Sequence, residues 1–333
     1  MEWGLPWPGA EVAAAAEKAG ASAFCAGEFA DVNAYLSTVE MALETERAMI
    51  GPGIAYAFAR SPFVHASAIR HLSRLAPGRV FLGLGAGAHR MNRDWFSVPA
   101  DRPVQRMADL IGAIRAYLEA ENYRPVRHEG DFYPVKAAIE APVMGRLDVP
   151  ILIGAFNRLM VRTAGRVADG VLGHGIFTDL WWTEVIDTNL AEGAEQAGRS
   201  HPHRWGWLIT AVNDDDPERA RRDARLQIAF YLTVRTYDPL AALHGWQEPV
   251  SRIRDAFRGR DIDGMAAAVT DEMLDAIAVC GTTAEARERL AARASLPDLA
   301  FLSPPAFMVG GRRREHYAAS AVRLMSENTE ERS

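Results

Sequence analysis

The sequence lacks several features that mark specialised classes of protein. Its 333 residues contain only two cysteines, Cys25 and Cys280, and neither has a CxxC partner. A disulfide scaffold and a zinc ribbon are therefore excluded, and both thiols are expected to be buried. No run of about 18 apolar residues occurs, and no basic region followed by an apolar stretch opens the chain. We expect a cytoplasmic protein that does not act at a membrane.

The chain also lacks a strong excess of charge of one sign. The formal net charge is −6 at pH 7, and 24% of the residues are charged. The Arg-rich segment DPERARRDARLQ interleaves both signs, which is typical of a solvated helix face. Because no basic stripe is present, we expect no nucleic acid partner, only a small-molecule substrate. With 49% hydrophobic residues, the chain can bury a large core.

No segment has the residues and spacing of a strong metal site. His201 and His203 flank a proline, and an isolated HxH is a weak metal signal. The sequence contains neither HExxH nor a cluster of carboxylates that would bind a divalent cation. We therefore expect no metal.

Short apolar runs alternate with amphipathic stretches along almost the whole chain. This alternation is typical of βα units and a parallel sheet. Eight runs are predicted as strands: WGLPW, SAFCAG, AMIGPGIA, RVFLGLG, VPILIGAF, DGVLGHGI, RWGWLITAV and DLAFLSP. They predict an α/β protein, a (β/α)8 TIM barrel with insertions, as a single domain over residues 1–330. Periodicity alone leaves an open doubly wound sheet as the alternative.

The segments between the strands carry helix signals. Ser61 is a predicted N-cap before a proline, and Thr282 with Glu285 has the spacing of a capping box. A long helical region is expected within 217–281. The stretch 88–103 is expected to be irregular.

The segment GRVFLGLGAG is a predicted strand that ends in a glycine loop, and this loop has three possible interpretations. A dinucleotide fingerprint requires GxGxxG opening a helix directly, in the first βαβ unit. Gly83, Gly85 and Gly87 give GxGxG instead, and we expect no helix start after them, so this reading fails. A cofactor loop at the C-terminal mouth of a barrel and a plain tight turn are both left open.

Small residues recur at the ends of other predicted strands, in GPGIAY, IGAFN and LGHG. They predict a wide, shallow mouth. A helix that begins near Asn157 would direct its first amides into this mouth, and such amides bind phosphate. An ordinary turn with an N-cap is the alternative.

These segments together resemble a known family. GPGIAYAFARSPFVHASAIRHLSRLAPGRVFLGLGAG, VPILIGAFNRLMVRTAGRVADGVL and CGTTAEARERL are similar to the bacterial luciferase-like monooxygenase superfamily. The similarity favours its coenzyme F420-dependent oxidoreductases, which include methylenetetrahydromethanopterin reductase. It extends from about residue 20 to 305 and implies a TIM barrel that binds F420 or FMN at its C-terminal face.

The resemblance also implies which residues contact the cofactor. In F420-dependent members a non-prolyl cis peptide ends strand three, and here that bond would join Gly53 to Ile54. Residues beside the cofactor ring would be Gly85, Ala86 and Gly87. Residues near its phosphate and polar tail would be Gly154, Ala155, Phe156, Asn157, Gly170, Gly173 and His174.

Two residues are candidates for proton transfer. Glu28 ends a predicted strand at the mouth, so it is a candidate proton donor or substrate ligand, and a solvated loop carboxylate is the alternative. His89 follows the glycine loop, and the histidine side chain is the usual proton donor of enzymes near neutral pH; an ordinary loop histidine is the alternative. His65 has the helical spacing of a packed residue, and we expect it to pack and not to catalyse.

The sequence departs from the family in two places. Many members have an acid followed by His after strand two, whereas Phe29 follows Glu28 here. Pro6 stands where the pterin reductases have a Glu, which puts the pterin reaction itself in doubt.

The expected function is an F420-dependent oxidoreductase that moves a hydride to or from a small organic substrate, in a homodimer. Two alternatives are an FMN-dependent two-component monooxygenase and a non-catalytic F420- or flavin-binding protein. The residues that would define the substrate lie in the insertions 88–103 and 235–265.

Overall fold

A computed structural model describes residues 1–139 and 142–330, with side chains up to residue 326. The strands are β1 (Glu2–Pro6), β2 (Ala21–Ala26), β3 (Met49–Pro52), β4 (Ala55–Tyr56), β5 (Leu82–Gly85), β6 (Val126–His128), β7 (Val135–Ala137), β8 (Ile151–Gly154), β9 (Gly170–Gly173), β10 (His203–Val212), β11 (Val279–Gly281) and β12 (Leu299–Ser303).

Helices follow most of these strands. They are α1 (Ala10–Lys18), α2 (Ala34–Glu44), α3 (Pro62–Leu75), α4 (His89–Asp94), α5 (Pro103–Leu118), α6 (Arg158–Val167), α7 (Asp179–Trp181), α8 (Thr188–Gln196), α9 (Pro217–Leu232), α10 (Asp238–His244), α11 (Gln247–Arg258), α12 (Ile262–Ala268), α13 (Asp271–Ile277), α14 (Thr283–Ala292) and α15 (Gly311–Glu330). Two single turns of 3-10 helix lie at Ala57–Ala59 and Arg235–Tyr237, and a π-helical turn at Trp182–Asp187 joins α7 to α8.

The chain packs into two compact units, each discontinuous in sequence. The terminal unit contains Met1–Ser22, Gly173–Val185 and the chain from Gly206 onward. The central unit contains Ala23–Leu172 and Ile186–Trp205. The predicted single domain stays a prediction.

Parallel strands form the centre of the central unit. β2 pairs with β3, and β4, β5, β8 and β9 pair in that order. A bridge between Ile50 and Val80 joins β3 to the chain that enters β5. Because all these strands are parallel, their carboxyl ends share one edge, where Gly85 lies opposite Gly154.

Two glycines let β3 and β5 approach each other closely. A Cβ at Gly51 would lie 2.2 Å from the carbonyl oxygen of Phe81, and one at Gly83 would lie 2.3 Å from that of Pro52. No larger residue fits without separating the two backbones. Strand packing therefore requires glycine at both positions.

The terminal unit has parallel strands of its own. β1 pairs with β12 and β10 pairs with β11. Gln227, buried on α9, accepts hydrogen bonds from the amides of Ala306 and Phe307 at 2.7 and 2.9 Å. The Gln227 side chain therefore holds the backbone segment that follows β12.

Parallel strands alternating with helices in both units form the (β/α)8 TIM-barrel class that the sequence predicts. All eight predicted strands are present, with the third divided into β3 and β4. The N-cap at Ser61 and the capping box of Thr282 and Glu285 are confirmed. Among the described residues, no helix is long and apolar enough to cross a membrane.

Two local expectations are wrong. α4 lies in the stretch expected to be irregular, and its six residues are too few for an apolar period to show. β11 lies in the region expected to be helical, and its three residues are held as a strand by pairing with β10. Tertiary contacts, which sequence patterns do not reveal, decide such short elements.

His65 on α3 is fully buried, as its helical spacing predicts. Its Nε2 lies 2.9 Å from the carbonyl oxygen of Ala57, and its Nδ1 lies 2.5 Å from the hydroxyl of Tyr35. Burial lowers the pKa of His65 from its ordinary 6.5 to about 4.

We expect the free energy of unfolding to fall as the pH is lowered from 7 to 5. In this window the unfolded chain binds a proton at His65 and the folded chain does not, because the folded pKa lies below the ordinary one. From the ordinary and the folded pKa, His65 alone should lower the free energy of unfolding by about 2 kcal/mol between pH 7 and pH 5. Urea unfolding of the wild type and His65→Gln at both pH values measures it, and an equal fall in the two proteins would contradict the assignment.

Candidate functional site

The side chain of Ile54 lies on the backbone of two neighbouring strands at their carboxyl ends. A Cβ at Gly85 would be 2.7 Å from Ile54 Cδ1, and one at Gly154 would be 3.1 Å from Ile54 Cγ2. The Gly53–Ile54 peptide is cis, as the resemblance implies. A methyl group at position 85 would therefore displace the end of the Ile54 side chain.

Gly53 is itself enclosed by β2. Its amide donates to the carbonyl oxygen of Ala26 at 2.8 Å, and a Cβ on it would be 2.7 Å from Cys25 Cβ. Cys25 is buried, and this burial raises the pKa of its thiol. The expectation of buried thiols is confirmed for both cysteines, and Cys25 acts as a small packing residue against Gly53.

Ala86 and Gly87 lead from β5 into α4. Gly87 is exposed and has a φ of +68°, a conformation that favours glycine. Asn92 of α4 is buried and donates from Nδ2 to the carbonyl oxygen of Ala86 at 2.8 Å. Among the described residues, its Oδ1 has no hydrogen-bond partner. Asn92 was not identified from the sequence, because no helix was expected there.

The chain after β8 passes through Ala155 and Phe156 to α6. Asn157 is the N-cap of this helix, and its Oδ1 accepts the amide of Met160 at 3.0 Å. Asn157 is therefore an N-cap, and its predicted place near a phosphate stays a prediction. The positive end of a ten-residue helix lies at the same place, which suits an anion.

Glu28 follows β2, and its carboxylate is enclosed. Its side chain is 9% exposed, and that of its partner Arg60 is 18% exposed. Oε2 accepts from Arg60 Nη1 and from the Tyr56 amide, each at 2.9 Å, and Oε1 accepts from Arg60 Nη2. Glu28 is therefore not a solvated loop carboxylate. The hydrogen bonds that Arg60 donates to Glu28 raise the pKa of the Arg60 guanidinium.

No pattern in the sequence indicates that Glu28 pairs with Arg60, which lies 32 positions away. The two residues meet because β2 pairs with β3 in parallel, so that the chain segments after both strands lie at one edge. Arg60 lies just before α3, and no local sequence pattern at this position identifies a partner that is distant along the chain.

His89 is the first residue of α4 and is exposed. Apolar surface is exposed on both neighbouring segments: Phe29 is 63% exposed and Trp95 is 58% exposed, with ring centroids 5.8 Å apart. The ring of Tyr56 lies 4.9 Å from that of Phe96. Aromatic side chains therefore flank both candidates for proton transfer.

Gly170 lies at the amino end of β9. A Cβ there would be 2.2 Å from the carbonyl oxygen of His203, so strand packing alone requires glycine. Barrels bind their ligands at the carboxyl ends of strands. The position of Gly170 therefore does not favour its predicted contact with the cofactor.

Gly173 and His174 belong to the terminal unit. A Cβ at Gly173 would be 2.7 Å from the ring of Trp182, which explains this glycine by packing. His174 Nε2 lies 3.1 Å from the hydroxyl of Tyr237, and its Nδ1 accepts the amide of Ile176 at 3.4 Å.

The ring of His174 is enclosed by aromatic side chains. The centroids of Tyr231 and Tyr237 lie 4.4 and 5.0 Å from its own. Burial lowers the pKa of His174 to about 4, so the ring is neutral at pH 7. Both ring nitrogens have protein partners, and nothing in the sequence identified either tyrosine.

A metal centre is not apparent in the part of the chain that the structure describes. No group of three or more His, Cys, Asp or Glu side chains there is arranged to hold an ion.

Comparison with known proteins places the chain in a family. Residues 8–298 match the family model described as luciferase-like monooxygenase. A protein of Mycobacterium tuberculosis (strain H37Rv) is 31% identical over 255 residues, which are 74% of this chain and 75% of that protein. A 5,10-methylenetetrahydromethanopterin reductase of Archaeoglobus fulgidus is 29% identical over 264 residues, which are 78% of this chain and 77% of that protein.

A solved structure shares the fold. It is the coenzyme F420-dependent tetrahydromethanopterin reductase from Methanopyrus kandleri, with a TM-score of 0.78 and 22% identity over 95% of this chain and 93% of that one. The family model extends over most of the sequence, and the mycobacterial relative exceeds 30% identity over three quarters of its own length. The chain therefore belongs to the luciferase-like monooxygenase family and is an oxidoreductase of that family.

Proposed function

We propose that the protein is a coenzyme F420-dependent oxidoreductase that transfers a hydride between the deazaflavin and a small organic substrate. The observation that carries this proposal is the position of Ile54 on Gly85 and Gly154, at the strand ends where barrels bind their ligands. The archaeal relative named as a methylenetetrahydromethanopterin reductase, and the solved structure named as F420-dependent, support this cofactor.

The residues at this edge fit a flat ring with an anionic tail. Half-buried Ile54 offers an apolar surface for a ring. The unpartnered Oδ1 of Asn92, beside Gly87, suits an N–H group of a ring edge. The first turn of α6 and the exposed Arg158 suit the tail, because amides at a helix start and a guanidinium both attract anions.

Bound F420 would supply or accept the hydride, so the chain has to orient the substrate and manage a proton. Three of the roughly four acceptor directions of the Glu28 carboxylate are occupied by protein donors, which favours a positioning role over proton donation. His89 is exposed beside the glycine loop. We therefore assign the proton to a ring nitrogen of His89 and a positioning role to Glu28.

The substrate class follows from the exposed surface beside these residues. Phe29 and Trp95 expose aromatic rings, which favours a small organic molecule with an apolar part. Pro6 ends β1 where the pterin reductases have a Glu, so we do not extend the proposal to a pterin substrate. The cytoplasmic location stays a prediction.

Titration of the purified apoprotein with F420 and with FMN tests the cofactor. We expect F420 to bind with at least tenfold lower Kd, because the Ile54 segment and the loop from Gly154 match those that the resemblance implies for F420-dependent members. Fluorescence of either cofactor reports binding. Tight FMN binding without F420 binding would contradict the proposal and favour a two-component monooxygenase. F420 binding without turnover of any acceptor would favour a non-catalytic binding protein.

Replacement of His89 tests the proton assignment. We expect His89→Ala to lower kcat by about 10², the range for loss of a general acid, while the Kd for F420 changes less than twofold. His71→Ala, which removes another histidine of the central unit, is the control and should leave kcat unchanged. The same kcat in His89→Ala and the wild type would show that another group moves the proton.

We also propose a homodimer that forms through α2 and α3. Three apolar side chains on these helices are largely exposed: Leu36 at 67%, Leu43 at 69% and Phe63 at 57%. Exposed apolar side chains on these two packed helices suit an interaction surface.

Light scattering after size exclusion should therefore give twice the mass of the chain. Leu43→Glu should shift the protein to monomer, because a charge would be buried in the interface. Phe257→Glu, at an apolar side chain of α11 that is 44% exposed, is the control and should leave the mass unchanged. A wild type that elutes as a monomer would refute the dimer.

A further inference from the structure

Two side chains hold the backbone of Tyr56 and Ala57 from both directions. Glu28 accepts the amide of Tyr56 at 2.9 Å. His65 Nε2 lies 2.9 Å from the carbonyl oxygen of Ala57. The amide of one residue and the carbonyl of the next are therefore both bonded to buried or nearly buried polar groups.

Two further side chains connect these groups to each other. Arg60 pairs with Glu28, and its guanidinium lies over the ring of Tyr35, 5.2 Å from the centroid. The hydroxyl of Tyr35 lies 2.5 Å from His65 Nδ1. Glu28, Arg60, Tyr35 and His65 thus form a closed polar ring with the Tyr56–Ala57 backbone, which we call the clamp.

The chemistry of the clamp permits one arrangement of protons. A carbonyl oxygen only accepts, so His65 Nε2 carries the hydrogen that bonds Ala57. Nδ1 of the neutral imidazole then accepts from the Tyr35 hydroxyl. Burial lowers the pKa of His65 to about 4 and raises that of Tyr35, so both groups are neutral at pH 7. The His65 tautomer and the direction of the Tyr35 hydroxyl are therefore fixed.

The clamp acts on the segment that carries Ile54. Tyr56 follows Ile54 by two residues, and a Cβ at Gly87 would be 3.4 Å from the Tyr56 ring. Fixing Tyr56 and Ala57 therefore fixes how Ile54 lies on Gly85 and Gly154.

We infer that Glu28, Arg60, Tyr35 and His65 are positioning residues that hold the Ile54–Tyr56 segment in the conformation that binds the cofactor. The identity of the cofactor in this inference rests on the proposed function. Stability alone gives little reason for such a group, because replacing a buried ion pair by apolar residues is often neutral for folding. Each side chain of the clamp contacts the segment or another clamp member.

The test uses two measurements on the full-length apoprotein. Hydrogen exchange followed by mass spectrometry reports the mobility of peptides that span residues 53–58, and titration reports the Kd for F420. The variants are Glu28→Gln, Arg60→Met and Arg60→Lys. The control is Arg70→Met, because Arg70 is a part-buried arginine of the same unit that donates to the carbonyl oxygens of Tyr117, Leu118 and Gly145 outside the clamp.

We expect the amide hydrogens of residues 53–58 to exchange at least tenfold faster in Glu28→Gln and Arg60→Met than in the wild type. Both variants should also raise the Kd for F420 at least tenfold. Arg60→Lys should recover part of both losses, because it keeps the charge beside Glu28 without the bidentate bonds. Arg70→Met should lower the urea midpoint and change neither measurement more than twofold, which separates positioning from general destabilisation.

Two results would overturn the inference. One is exchange of 53–58 at the wild-type rate in the clamp variants, and the other is faster exchange with unchanged cofactor affinity. If the wild type binds FMN and not F420, the proposed function fails, and the same variants titrated with FMN decide the clamp. If the wild type binds neither cofactor, the inference fails together with the proposed function. The exchange rates then report only whether the clamp holds residues 53–58.

Discussion

The contact of Ile54 with Gly85 and Gly154 is the constraint on which the edge of the central unit depends. A Cβ at Gly85 would lie 2.7 Å from Ile54 Cδ1, and one at Gly154 would lie 3.1 Å from Ile54 Cγ2, so a side chain at either position would displace the Ile54 side chain. Overpacking of this kind acts first on the position of Ile54. The glycines at these strand ends therefore set where a neighbouring side chain lies, before any ligand is considered.

The other glycines of the strands have separate physical causes. Gly51 and Gly83 allow β3 and β5 to approach, and Gly170 allows the backbone of His203 to pass beside β9. Gly173 leaves room for the ring of Trp182. A glycine that ends a strand can thus reflect a neighbouring strand, an aromatic ring or a ligand, and only the structure distinguishes these causes. This is why the recurring small residues indicate a shared edge of strand ends, while position-by-position contacts do not follow from them.

Most of the fold was accessible from the sequence because the strands are buried, apolar and regularly spaced. The eight strands and the capped starts of α3 and α14 follow from local patterns. β11 and α4 did not, because three and six residues are too short to carry a period, and β11 is a strand only through its pairing with β10. The family resemblance supplied the Gly53–Ile54 segment, which no periodicity marks. The partners of Glu28 were inaccessible for the same reason as β11, since only parallel pairing of distant segments brings them together.

What a carboxylate at the mouth of a barrel does depends on whether its oxygens are free. The sequence places Glu28 at a strand end, and this position alone fits a proton donor as well as it fits an anchor. In the structure one Glu28 oxygen accepts from Arg60 and the Tyr56 amide, and the other accepts from Arg60 again. Three hydrogen bonds from protein donors therefore hold the carboxylate in one orientation. The same bonds connect Glu28 to the backbone beside Ile54, so its arrangement favours the role of an anchor over that of a proton donor.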